Sequence, residues 1–303
     1  MSSSTSDVAA PPVVTGVQRQ ADGVALLLPE EARLFRPVET AGVGILVLLG
    51  SSGRMDIDRA RLLSEHGAHA MAVRWFGGEG QAPGVCEIPL EVFTRALDRL
   101  EEEEGVERLA VLGLSKGAEA ATLLACVDDR VDLTVAMSPT SVVWGNVGPG
   151  LDGVTTPYRS SWTWRGEPLP FVPYDESWVP EEAMEPFAYR NLYEVSMALD
   201  IDTSAAAAIP VEEIRGDLLL AAGEQDLLWP SSDFARALAA RRLEAERQVE
   251  VIFNETAGHT PLFPGQNPAA QSLHIKRGGT PAGDSELGAE IWNSMVKRLD
   301  LQP

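Results

Sequence analysis

Cysteine is nearly absent: Cys86 and Cys126 are the only two in 303 residues, far apart and without C-x-x-C spacing. This excludes a disulfide framework and a cysteine-built zinc site. Basic residues are scarce too, 24 Lys and Arg against 45 Asp and Glu, for a formal net charge of −21. Nucleic acid is therefore a poor partner, because phosphate binding relies on clustered Lys and Arg. No stretch approaches the roughly 20 apolar residues of a membrane span, so no membrane is expected as a partner. The opening Met1-Ser-Ser-Ser-Thr-Ser-Asp lacks the basic and apolar regions of a signal peptide, which points to a cytoplasmic location. What is present is 45% hydrophobic, an ordinary fraction for a globular chain. Oligomeric state is left open.

Residues 1–12 are polar and end in Pro11-Pro12, which reads as a disordered tail. Val13–Leu28 holds two short apolar stretches around Asp22-Gly23, a hairpin-turn pair. From Val43 onward a repeating order sets in. Apolar runs at Val43–Leu49, Ala70–Trp75, Leu109–Leu112, Leu133–Met137, Asp217–Ala222 and Val249–Phe253 suit strands buried on both faces. Helix-like spacing follows several of them, at Asp56–His66, Pro89–Glu104, Lys116–Val127 and near Asp284–Leu299. Glu101–Glu104 reads as a solvated helix end. The expected fold class is α/β, a mostly parallel sheet with helices on both faces, in a single domain over residues 13–303.

One interruption breaks this order. Residues 140–211 hold all four Tyr and four of the seven Trp, are rich in Pro, and show no long helical period. Such an insertion on an α/β scaffold is expected to act as a lid or to shape a substrate pocket. Trp144, Trp162, Trp164 and Trp178, with Trp229 beyond it, are the candidate pocket residues. The alternative is that these aromatics pack a small core of their own.

Chemistry concentrates at Gly113-Leu-Ser-Lys-Gly117, a G-x-S-x-G pattern between a predicted strand and a predicted helix. That context is what a nucleophile elbow requires: a sharp turn that exposes the serine, with glycines where neighbouring backbone comes close. A serine hydroxyl needs a base, and the base a carboxylate, in the chain order Ser, acid, His for this arrangement. Of four His, His66 and His69 precede Ser115, and His274 lies some way past the last predicted strand. His259 falls just beyond Val249–Phe253 and is the candidate base. Asp226, in the loop after Asp217–Ala222, is the candidate acid, with Glu224 and Asp233 as rivals and helix capping as its structural alternative. Oxyanion donors are expected from the backbone N–H of Lys116 and of Ser51 or Ser52, each worth about 3 kcal/mol of barrier. The Lys116 ammonium itself is expected to be solvated. No nucleotide-binding or metal-ligating motif accompanies these residues, and the inferred chemistry needs no metal or redox cofactor.

Ser115-Lys-Gly-Ala-Glu119, Gly223-Glu-Gln-Asp226 with Trp229-Pro-Ser231, Ala257-Gly-His259, and Gly278-Gly-Thr280 followed by Trp292 together resemble the acyl-CoA thioesterase and bile acid-CoA:amino acid N-acyltransferase family. The resemblance runs over most of residues 43–300. It implies an α/β-hydrolase catalytic domain related to dienelactone hydrolases, with Ser115, Asp226 and His259 as triad. Members that transfer acyl groups to amino acids tend to carry Cys at the nucleophile position, so Ser115 points toward hydrolysis. Eukaryotic members carry a β-sandwich domain ahead of the catalytic one, and contacts made by that domain are not carried over.

The expected function is a serine acyl hydrolase acting on a small-molecule thioester or ester. Transfer or cyclisation onto an amine or hydroxyl acceptor, hydrolysis of a carboxylester or lactone, and a non-catalytic ligand-binding scaffold are the alternatives. Coenzyme A brings phosphates that a chain at −21 repels at long range, and the basic candidates Arg159, Arg165 and Lys276-Arg277 are scattered.

Overall fold

Each of the six apolar runs becomes a strand, and they lie parallel because every connection between them carries the chain back across one face of the sheet. The computed structural model describes residues 31–302 other than 269 and 271. The predicted tail and the hairpin around Asp22-Gly23 lie outside the described residues. The chain forms β1 (Ala32–Phe35), β2 (Val43–Leu48), α1 (Ile57–Glu65), β3 (His69–Val73), β4 (Ile88–Pro89), α2 (Glu91–Glu101), β5 (Arg108–Leu114) and α3 (Lys116–Val127). It continues through β6 (Val131–Met137), β7 (Trp162–Trp164), β8 (Glu167–Pro168), α4 (Arg190–Leu199), α5 (Ile201–Ala206), β9 (Asp217–Gly223), α6 (Ser231–Glu244), β10 (Glu250–Asn254) and α7 (Pro281–Leu299).

Among the described residues the large sheet runs β1-β3-β2-β5-β6-β9-β10, with β1 alone antiparallel. β4, β7 and β8 make a separate three-stranded patch. Alternation along β2 shows how both faces are filled. Leu46 and Leu48 enter a core with Phe93 and Leu97 of α2 and Leu124 of α3. Val43, Ile45 and Val47 enter the opposite core with Leu63 of α1 and Ile291 and Trp292 of α7. Burying each such side chain contributes roughly 1.5–3 kcal/mol, so the double covering explains why β2 is apolar at nearly every position.

Three local features differ from expectation. β1 is four residues long and contains a half-buried Arg, too short to show a period; its strand character comes from pairing with β3. Glu103 is not solvated: its side chain is only 7% exposed, and it accepts from Arg36 at 2.9 Å and pairs with Arg99 at 2.6 Å. The stretch 140–211 contains a ten-residue helix, α4, of which only Ser196 is fully buried. A helix without a buried apolar stripe leaves no periodicity to read.

The parallel strands deliver their carboxyl ends to one edge of the sheet, where loops after β5, β6, β9 and β10 meet. The candidate residues lie on those loops.

Candidate active site

Ser115 occupies the single residue between β5 and α3, with φ 60° and ψ −123°. A non-glycine residue held there costs about 1–3 kcal/mol and persists only if the surroundings enforce it. They do so through backbone packing. A Cβ on Gly113 would stand 2.1 Å from the Gly117 carbonyl oxygen, and one on Gly117 would stand 2.2 Å from that of Leu48. The Ser115 N–H donates to Met137 O at 3.0 Å, anchoring the turn to the end of β6.

Asp226 follows β9 and is fully buried. Its Oδ1 accepts from the N–H groups of Leu228 at 2.8 Å and Trp229 at 3.3 Å. Its Oδ2 accepts from the Ser231 hydroxyl at 2.6 Å and from His259 Nδ1 at 2.8 Å. It does not cap α6, whose cap position is Pro230 with no side-chain bond. A carboxylate can only accept, so Nδ1 carries the proton and the neutral ring keeps its lone pair on Nε2. That Nε2 is buried and has no hydrogen-bond partner among the described residues.

Three further residues brace the Asp226 and His259 loops. Arg277 O accepts from the N–H groups of His259, at 3.0 Å, and Leu227, at 3.3 Å. Ser138, after β6, donates its hydroxyl to His259 O at 2.9 Å and accepts at its own carbonyl from Trp229 Nε1 at 3.1 Å. Asp284, at the start of α7, accepts from the Gly258 N–H at 2.7 Å; burial raises its carboxyl above the ordinary value, with Asp226 adding to the rise against that bond. Gly278 is wedged between the loops at φ +73°, where a Cβ would meet Gln225 O at 1.8 Å. This is the physical need behind the Gly278-Gly-Thr280 segment.

The rival candidates are engaged elsewhere. Glu224 pairs with Arg236, and Asp233 with Arg190 at 2.7 Å. His274 is exposed and paired with Glu185, while His66 Nδ1 meets the Gln302 carbonyl.

In the loop after β2, Gly50 lies against Ser115: a Cβ there would be 3.1 Å from Ser115 Cβ and 3.5 Å from its Oγ. The Ser52 N–H is committed to Gly50 O at 2.8 Å. The Ser51 N–H has no such acceptor among the described residues, and Lys116 begins α3, where first-turn N–H groups have no intrahelical acceptor.

Two expectations about side chains need correction. Lys116 is not solvated: it is 2% exposed, and its Nζ donates to Glu119 Oε2 and to Ser161 Oγ, both at 2.8 Å. The reason is that 140–211 covers this turn and supplies Ser161, while Glu119 comes from the same turn of α3. Burial pulls the Lys116 ammonium below its ordinary value, and Glu119 counteracts it. Trp144, Trp162 and Trp229 are packed core and not open pocket wall, at 0%, 0% and 1% exposure. Trp162 packs against Trp75 and Phe93; Trp144 and Trp229 belong to a small core with Val172 and Phe234. Trp164 and Trp178 are half-buried. Sequence reading missed Glu119, Ser138 and Ser231; the Ser115-Lys-Gly-Ala-Glu and Trp229-Pro-Ser blocks held the signal for the first and third. Beside the His259 loop an open pocket of about 400 Å³ is lined by Leu227, Thr260, Lys276, Arg277 and Asp284 among others.

Residues 88–300 match the family described as BAAT / Acyl-CoA thioester hydrolase C terminal. The chain belongs to that family. Its curated relatives include acyl-coenzyme A thioesterase 6 of Mus musculus, 24% identical over 267 residues that cover 82% of this chain. Acyl-coenzyme A amino acid N-acyltransferase 2 of Rattus norvegicus is 25% identical over 269 residues, 84% of this chain. The matched part spans 57% and 59% of the lengths of those two proteins. Among solved structures, a Klebsiella pneumoniae protein named for dienelactone hydrolase superposes with TM-score 0.52 at 14% identity, covering 89% of this chain and 98% of its own. This chain thus has an α/β-hydrolase fold. Among the described residues no helix is long and apolar enough to cross a membrane.

Proposed function

We propose that this protein is a serine acyl hydrolase that cleaves a thioester or ester through an acyl-enzyme on Ser115. The observation that carries the reading is the polarised imidazole: His259 donates a hydrogen bond from Nδ1–H to the buried Asp226 carboxylate and, among the described residues, keeps Nε2 without a partner on the sheet edge that also carries Ser115. In this mechanism His259 Nε2 takes the Ser115 proton as Oγ attacks the carbonyl carbon. The Lys116 and Ser51 N–H groups stabilise the resulting oxyanion. His259 then passes the proton to the leaving sulfur or oxygen, the carbonyl reforms, and the C–S or C–O bond breaks. Water attacks the acyl-enzyme with His259 again as base, releasing the acid and restoring Ser115. Asp226 holds the ring in the required tautomer throughout. The thioester half of the reading leans on the family, whose named members act on acyl-coenzyme A.

A second reading, an uncharged ester or lactone as substrate, is favoured by charge. Arg159 is paired with Asp152 and Glu87, and Lys276 with Glu182, so two of the few candidate phosphate partners are already neutralised.

The test is incubation with a fluorophosphonate probe and with p-nitrophenyl and coenzyme A esters of several chain lengths, beside Ser115→Ala. Labelling and turnover in wild type, both lost in the variant, are expected. The ester-to-thioester rate ratio separates the two substrate readings, and product analysis with added amines or alcohols detects transfer. A folded wild-type protein that neither labels nor turns over would leave only the non-catalytic scaffold.

A further inference from the structure

Immediately behind the nucleophile lies a buried ion pair that the mechanism above does not use. Lys116 and Glu119 sit on the first turn of α3, at 2% and 0% exposure. Placing two charges in a protein interior is costly unless each is fully paired, and removing one partner strands the other. Here the pairing extends well beyond the two residues. Glu119 Oε1 accepts from Trp162 Nε1 at 2.8 Å and from the Trp144 N–H at 3.0 Å. Lys116 Nζ donates to Ser161 Oγ, which donates in turn to Gly145 O at 2.8 Å. All four outer partners belong to the inserted stretch between β6 and β9. Two charges of opposite sign 2.8 Å apart leave little net field at the serine, so the pair's leverage is geometric.

Contact then continues to the other side of the site. Trp144 meets Tyr193 of α4 edge-on at 4.7 Å, Tyr193 meets Trp229 at 5.4 Å, and Trp229 meets the His259 ring at 5.7 Å. Aromatic pairs at these separations prefer a defined edge-to-face geometry, which makes the stack a spacer and not a loose filling.

We propose that Lys116 and Glu119 are a positioning pair, which clamps the inserted segment to the nucleophile elbow and so orients both the Lys116 peptide N–H and, through Trp144, Tyr193 and Trp229, the His259 ring. The inference rests on the serine-hydrolase reading. It assigns the insertion a role in the catalytic step in addition to any contact with substrate.

The experiment uses Trp162→Phe, which removes one donor to Glu119 and keeps an aromatic side chain, together with Glu119→Gln, Lys116→Met and the double variant Lys116→Met/Glu119→Gln. Each is measured by thermal melting, by steady-state kinetics on a p-nitrophenyl ester, and by the rate of fluorophosphonate labelling. In folded Glu119→Gln, kcat and labelling rate fall together by roughly ten- to a hundredfold, the scale of a small misplacement, with KM within about twofold of wild type. Trp162→Phe moves the same way by a smaller factor. The double variant melts higher than Lys116→Met, because no charge is stranded. Wild-type kcat and labelling in folded Trp162→Phe and Glu119→Gln overturn the pair's role, as does a loss confined to KM. Should Glu119→Gln not fold, Trp162→Phe decides alone. An inert wild type is a different result: it removes the hydrolase reading and this inference with it.

Discussion

His259 and Asp226 share one short contact, Nδ1 to Oδ2 at 2.8 Å, and it leaves the opposite nitrogen of the same ring buried, without a partner among the described residues. Buried polar atoms are nearly always satisfied; in the mechanism proposed above, Nε2 gains its partner when it takes the Ser115 proton. Among the described residues the Asp226 carboxylate receives four hydrogen bonds, from Leu228, Trp229, Ser231 and His259, and is therefore held in one orientation.

Asp226→Asn is expected to fold and to lose turnover by about four orders of magnitude, with little change in KM. An amide can satisfy the pocket by donating to Nδ1, which moves the ring proton to Nε2 and removes the base. Steady-state kinetics on an ester substrate reads this directly; retention of most activity would place the base elsewhere.

Gly117→Ala and Gly113→Ala test the elbow as a packing problem. The added methyl would overlap backbone, Leu48 O at 2.2 Å or Gly117 O at 2.1 Å, and these carbonyls belong to β2 and to the first turn of α3, so neither can swing away without disrupting its element. A loss of roughly 2–4 kcal/mol in urea unfolding, or failure to express in soluble form, is expected for either. A neutral effect would show that the turn is looser than these distances say.

Neither cysteine is expected to react while the protein is folded. Burial, reinforced by Glu212 and Glu213, pushes the Cys126 thiol up to about 12, and burial raises that of Cys86 as well. The thiolate is the reactive form, so Ellman's reagent at pH 8 should find far less than the two thiols it finds after denaturation. Rapid reaction in the native state would contradict this.

Acid stability should fall below pH 4.5. Burial tends to raise the Glu103 carboxyl, but its bonds with Arg36 and Arg99 outweigh that and hold it below its ordinary value of 4.5. Asp128 is likewise held below 3.8 by Arg130 against burial. A carboxyl depressed in the folded state contributes stability that is complete above its unfolded value and is lost as pH falls through the folded one. The melting-temperature gap between wild type and Glu103→Gln should thus be widest near neutrality and should close as pH drops below 4.5. A gap independent of pH would rule out the charged pair as its source.

Much of this was written locally along the chain. The six parallel strands were legible because double-sided burial demands unbroken apolar runs, as in Val43–Leu48. The elbow was legible because its glycines must stand at fixed offsets from the serine. His259 and Asp226 could be placed because parallel strands bring all their carboxyl ends to one edge, so loop position alone narrows the choice. By contrast, β1 takes its strand character from β3, and α4 lacks a buried stripe, so neither left a pattern.

The sequence by itself determined the α/β order, the strand–turn–helix at Ser115 and the placing of Asp226 and His259 on later strand-end loops, because each depends on periodicity or on spacing between neighbours. Only the tertiary structure decided the environment of each group. Lys116 reads as a surface charge until residues 144–162 cover it, and Trp144 and Trp162 read as pocket wall until Glu119 accepts their N–H groups. Burial and hydrogen-bond partners come from segments distant in the chain, and no local pattern records them.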